Sequence, residues 1–152
     1  MEHSNTSQKK MDGSKLKFYI VAANFNNDFV EVMIEEAIKF LLKNKVSRNN
    51  ISIIRVAGAL EIPYASKKII KMAKPDAVIA LGVIIKGETS HYDMVCNESF
   101  RGVMNVQLET MTPISFGILT CDTVSQVLER IDPKKYNNGK KAALAALQQA
   151  LI

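Results

Sequence analysis

The stretch AVIALGVIIKGETSHYDMVCNE, residues 77–98, decides the fold. Its opening, Ala77 to Ile85, is apolar throughout and too short to span a membrane. A run of this kind reads as a strand buried on both faces of a parallel sheet. Gly87 then breaks the strand. Ser90 and Asp93 stand at the spacing of a capping box, which predicts a helix starting near His91. A strand entering a helix through a tight glycine turn points unpaired backbone N–H groups outward, with the positive end of the helix dipole behind them. That end is a natural anion site. His91 sits at its mouth; the other histidine of the chain, His3, lies in a polar tail.

Outward from this stretch the chain alternates regularly. Residues 1–14 are rich in Ser, Asn, Gln and Lys and read as a flexible N-terminal tail, leaving 15–152 as one domain. Phe18 to Ala23 reads as a strand ending at Asn24-Phe25-Asn26-Asn27. Val30, Met33, Ile34, Ala37, Ile38, Leu41 and Leu42 then form one stripe at helical spacing, with Glu31, Glu35 and Lys39 opposite. Ile51 to Val56 is a second strand. Pro63 suits the first turn of a helix that should bury Ile62, Ala65, Ile69 and Ala73 and close before Pro75. The His91 helix should run to about Thr110, with a fourth strand over Ile114 to Leu119. A short helix over Thr123 to Arg130, a turn at Asp132-Pro133 and a final helix over Lys140 to Leu151 complete the chain.

Strands and helices alternating through short connections predict an α/β fold. Its expected form is a three-layer, flavodoxin-like domain with a four-stranded parallel sheet and helices on both faces. Ligands of such sheets collect at the carboxyl ends of the strands. Asn24 to Asn27, Gly58 to Glu61, Gly87 to His91 and Thr120 to Asp122 should all lie there. One rim therefore carries an aromatic ring, a carboxylate, a helix start and a histidine.

Composition narrows the field. With 152 residues the chain can bury a proper core. Its net charge of +5 is modest, and its lysines are scattered over helix faces rather than gathered into a stripe with aromatics, which argues against nucleic acid. No apolar stretch approaches a membrane span and the first residues are polar, so a cytoplasmic protein is expected. Cys96 and Cys121 lack metal-ligand spacing and read as two buried free thiols. Gly82 to Thr89 nearly spells a P-loop, but Glu88 replaces the lysine that would bridge phosphates. No dinucleotide fingerprint and no histidine cluster for a metal appear.

Singly, the rim residues have plain readings beside functional ones. His91 could be a surface or capping residue, or a proton carrier that titrates near working pH beside an anion. Glu61 could favour a helix dipole or accept hydrogen bonds from hydroxyls. Phe25 could anchor a loop or stack on a planar ring. Phe116, mid-strand, fits a core position better than a ligand contact. Arg130 could complement a helix end or grip a phosphate with both arms of its guanidinium.

Taken together, Phe25-Asn26, Gly58-Ala59-Leu60-Glu61-Ile62-Pro63, Gly82 to Glu98 and Pro113-Ile114-Ser115-Phe116-Gly117 resemble the 6,7-dimethyl-8-ribityllumazine synthase family. The order and spacing hold from residue 17 to 151. The resemblance implies a transferase of riboflavin biosynthesis that condenses 5-amino-6-(D-ribitylamino)uracil with 3,4-dihydroxy-2-butanone 4-phosphate, releasing phosphate and water. It implies no metal and no organic cofactor. Phe25, Ala59, Leu60, Glu61, Val83, Ile84, Ile85 and Phe116 would then hold the ribitylaminouracil. Glu88, Thr89 and Arg130 would hold the butanone phosphate, and His91 would move protons. Phe116 and Arg130 would come from a neighbouring subunit, making the site a property of a homo-oligomer, with riboflavin synthase a further partner.

The chain departs from the family pattern at Asn24 and Lys86, where arginine is usual, and at Asn137-Asn138-Gly139, where the family often has lysine in the middle. Ile131 to Tyr136 replaces the glycine-rich turn of members that build sixty-subunit shells, which favours an isolated pentamer. Two other readings stand beside the main one. One is an archaeal-type riboflavin synthase, which would make riboflavin from lumazine alone. The other is a non-catalytic flavin-binding or shell protein, indifferent to loss of His91.

Overall fold

The structure, a computed structural model, describes residues 11–152. Its backbone alternates strand and helix as the apolar pattern requires: β1 (Phe18–Ala23), α1 (Asn27–Lys43), β2 (Ile51–Val56), α2 (Ile62–Ala73), β3 (Ala77–Ile85), α3 (His91–Thr110), β4 (Ile114–Cys121), α4 (Val124–Ile131) and α5 (Asn138–Ala150). All pairings are parallel, in the order β2-β1-β3-β4. The chain thus winds outward in both directions from the β1–β3 pair, the place where the strand order reverses.

The pleat sorts side chains between two cores. Ile20, Ala22, Ile79, Leu81 and Val83 face α1 and α5, while Val21, Ala23, Val78, Ala80 and Ile84 face α2 and α3. β3 touches helices on both sides, which explains why Ala77 to Ile84 is buried without interruption. Two glycines set the closeness of the outer layers. A Cβ at Gly139 would lie 2.3 Å from the Met33 carbonyl oxygen, and one at Gly102 would lie 2.7 Å from Pro63 Cγ. No helix among the described residues is long and apolar enough to cross a membrane.

Several details differ from the sequence reading. Phe40, not Leu42, completes the buried stripe of α1; Leu42 is 44 % exposed at the helix end. The buried line of α2 is Ile62, Ser66 and Ile70, with Ala65, Ile69 and Ala73 half-buried beside it. Ser66 hides this line from a hydropathy reading, and its hydroxyl is buried with no hydrogen-bond partner. β4 runs two residues further than expected, so Cys121 ends the strand and is buried, while Cys96 is only half-buried on α3. α4 starts one residue late because Thr123 is its cap, its Oγ1 accepting from the Gln126 N–H at 3.2 Å. α5 starts at Asn138, capped by Asn137, whose Oδ1 accepts from the Lys140 N–H at 3.2 Å.

Residues 1–10 of the expected tail lie outside the described residues. Of its remainder, Gly13 donates its N–H to the Asn44 carbonyl at 2.8 Å and is buried, and Met11 packs on the core. Non-glycine residues hold left-handed backbone at several helix boundaries: Asn26 and Asn137 before α1 and α5, Lys74 and Met111 after α2 and α3. Asparagine tolerates this conformation best because its short amide can bond locally.

Candidate active site

A crevice of about 470 Å³ opens at the carboxyl ends of β1 and β3, on the α2–α3 side of the sheet. This is the reversal point of the strand order, where diverging connections leave a gap. Phe25, Ala59, Leu60, Glu61, Val83, Ile84, Ile85, Thr89 and His91 all line it. Its walls are chiefly apolar, with polar groups at the rim, as in most small-molecule sites.

Each edge is built by local rules. At the β1 end, Asn24 and Phe25 extend the strand ladder, donating their N–H groups to Val56 and Ala57 carbonyls at 2.7 and 3.0 Å. Asn26 then turns left-handed, and its Nδ2 donates to the Val83 carbonyl at 2.8 Å, tying β1 to β3 across the gap. Phe25 is left 71 % exposed at the crevice edge. At the β2 end, residues Ala59–Glu61 form a 3-10 turn closed by the Gly58 N–H donating to Glu61 Oε2 at 2.9 Å. One carboxylate oxygen of Glu61 thus fixes the turn while the side chain remains exposed.

At the β3 end the chain turns through residues 86–90 into α3. The expected capping box is not formed: Ser90 is helical and its side chain makes no cap bond. Thr89 takes that role instead, its Oγ1 accepting from the His91 N–H at 3.3 Å. Among the described residues the N–H groups of Gly87, Glu88, Thr89 and Ser90 have no acceptor. They cluster at the start of a twenty-residue helix, where the backbone dipoles favour negative charge. His91 is exposed beside them, and its ring has no hydrogen-bond partner among the described residues. It is free to meet a ligand.

Three expected residues lie elsewhere in a single chain. Glu88 is exposed and outside the crevice lining. Phe116 is half-buried rather than core, because β4 is an edge strand; it stacks on Phe100 with centroids 5.4 Å apart. It lines a separate groove with Leu108 and Met111. Arg130 sits in the last turn of α4, its guanidinium over the Tyr136 ring at 5.5 Å.

The sequence reading assigned no role to Tyr92 and Val95, which also line the crevice. For Val95 helical spacing from His91 was the available signal, since a residue four further on shares its side of the helix; Tyr92, one further on, points about 100° away and carried no such signal. Burial pushes the Tyr92 phenol above its ordinary range. No group of His, Cys, Asp or Glu among the described residues is arranged to hold a metal ion.

A three-layer α/β domain with an apolar crevice at its switch point, bordered by a histidine and a helix N-terminus, defines a small-molecule site suited to acid–base chemistry on an anionic ligand. Comparison with known proteins narrows the class. The family model described as 6,7-dimethyl-8-ribityllumazine synthase matches residues 15–152. The 6,7-dimethyl-8-ribityllumazine synthase of Lawsonia intracellularis is 43% identical over 152 residues, covering 100% of this chain and 97% of the relative. That of Nitratidesulfovibrio vulgaris strain DP4 is 40% identical over the same span and coverage. That of Kosmotoga olearia is 43% identical over 138 residues, covering 91% of this chain and 88% of the relative. The chain belongs to the 6,7-dimethyl-8-ribityllumazine synthase family.

Proposed function

We propose that the crevice condenses 5-amino-6-(D-ribitylamino)uracil with 3,4-dihydroxy-2-butanone 4-phosphate to 6,7-dimethyl-8-ribityllumazine, phosphate and water. What carries this reading is the meeting, at one switch point, of an exposed aromatic ring, an apolar slot, free backbone N–H groups and a histidine. Phe25 stacks on the pyrimidine, and Ala59 to Glu61 with Val83 to Ile85 hold the ring and its ribityl chain. Glu88 and Thr89 flank the phosphate at the start of α3, bound there by N–H groups. His91 carries protons as the amine attacks the ketone, phosphate departs and the second ring closes, each step needing proton transfer near neutral pH. Holding both substrates in reacting geometry supplies much of the remaining acceleration.

In this reading Phe116 and Arg130 serve the crevice of a neighbouring subunit, Arg130 gripping the phosphate. Exposed apolar side chains support an oligomer: Met94, Met104 and Leu108 on α3 and Met111 just past its end, of which Leu108 and Met111 line the Phe116 groove. A pentamer is the assembly proposed, working in the cytoplasm and supplying lumazine to a riboflavin synthase. Mixing the two substrates with the protein and following the absorbance of lumazine tests the function. Product formation above the uncatalysed rate is expected, and its absence rejects the reading.

A further inference from the structure

Arg55 lies on β2 and does not line the crevice, yet its guanidinium joins four acceptors around the exit of β1, among them the carbonyl of Ala23, which does line it. Its Nε donates to Asn24 Oδ1 at 3.0 Å. One terminal nitrogen donates to the Ala23 carbonyl at 3.2 Å and to the Asn27 side-chain oxygen, and the other donates to Glu31 Oε1. Three of these acceptors belong to residues bracketing Phe25 in the chain. A planar fork with five donors can serve so divergent a set, whereas an ammonium group cannot.

Phe25 needs such support. Its ring is 71 % exposed, so side-chain packing does little to fix it, and its place depends on its backbone. The Phe25 N–H is held by the Ala57 carbonyl, and the following Asn26 is left-handed, its side-chain amide tied to the Val83 carbonyl. The Arg55–Glu31 pair is partly exposed on both sides, at 26% and 49% of side-chain surface. Pairs so placed add little stability of their own. What the junction supplies is geometry.

We infer that Arg55 is a positioning residue: its guanidinium clamps residues 23–27 and so holds the Phe25 ring at the crevice before a planar heterocycle arrives. The inference rests on the reading of Phe25 as the stacking face. A preordered platform removes part of the ordering cost of binding, so the benefit falls on the pyrimidine substrate and not on the phosphorylated one.

A double-mutant cycle tests it, read by KM for each substrate and by calorimetric titration of the ribitylaminouracil alone. Arg55→Met is expected to raise KM and Kd for the pyrimidine about tenfold, while KM for the butanone phosphate stays within about twofold. Arg55→Lys keeps a charge beside Glu31 but loses the fork, and should show most of the same loss. In a Phe25→Ala background, Arg55→Met should add less than about twofold. An equal effect on both substrates, an effect undiminished without Phe25, or wild-type behaviour of Arg55→Lys overturns the proposal. If Arg55→Met does not fold, Arg55→Lys carries the cycle. Failure of the wild-type protein to bind the pyrimidine overturns the reading of the site itself, and the clamp with it.

Discussion

The side-chain amide of Asn26 donates to the backbone carbonyl of Val83 at 2.8 Å, joining the exit of β1 to the crevice end of β3. One residue thereby supplies a left-handed turn and a brace across the gap where a ligand would enter. The two tasks can be separated. Asn26→Gly keeps the turn and loses the brace; Asn26→Ala loses the brace and strains the turn as well. We expect Asn26→Gly to cost about 1 kcal/mol of stability and Asn26→Ala about 2 kcal/mol. Chemical denaturation of both variants measures the difference. Both should also weaken pyrimidine binding, since Phe25 is the preceding residue.

Gly139 and Met33 fix the spacing of α1 against α5. Backbone faces the missing Cβ, and backbone cannot swing aside as a flexible side chain can. Gly139→Ala should therefore separate the two helices and destabilise the domain by about 2 kcal/mol or more. A thermal melt reads this directly, with a substantial fall in Tm expected.

Glu36 is held below the usual carboxylate range, first by the hydrogen bond that Asn137 Nδ2 donates at 2.9 Å, and then by Lys39. The folded carboxyl titrates below its unfolded counterpart. Its contribution to stability is thus present above the ordinary carboxylate range and is lost as pH falls through that range to the folded value. Between about pH 6 and about pH 3 the wild-type protein should lose more stability than Glu36→Gln, which has no such proton to gain. Denaturation midpoints across that interval give the comparison; parallel curves would remove Glu36 from the account.

Much of this fold was legible because β3 is buried on both faces and every residue from Ala77 to Ile84 shows it. The strand at Phe18–Ala23 ran into the polar Asn24-Phe25-Asn26-Asn27, and that at Ile51–Val56 lay between Arg48-Asn49-Asn50 and Gly58. What escaped depended on contacts between distant parts of the chain. Ser66 is polar yet buried, so the α2 stripe seemed rotated. The left-handed turn and amide brace of Asn26 join residues 57 positions apart, and no local pattern announces them. Thr89 rather than Ser90 serves the start of α3, a choice made by backbone angles at the turn. The site was legible in part: most of the rim residues meet in one crevice, whereas Glu88, Phe116 and Arg130 stand apart from it in the single chain.

Arg130 should act on the phosphorylated substrate across a subunit boundary. Arg130→Ala is expected to raise KM for the butanone phosphate about tenfold or more, with a much smaller change for the pyrimidine. Mixed oligomers refolded from His91→Ala and Arg130→Ala chains should turn over faster, at low butanone phosphate, than either variant alone, because some sites would then draw both wild-type residues from adjacent subunits. No recovery in such mixtures would place Arg130 outside the site.

The most direct test of the central claim is the turnover number of His91→Ala with both substrates saturating. Proton transfer by a positioned imidazole is worth a large factor in rate, so kcat should fall about tenfold or more while both KM values change little. An unchanged kcat would contradict the account, since the crevice would then be carrying out its chemistry without the one side chain assigned to move protons.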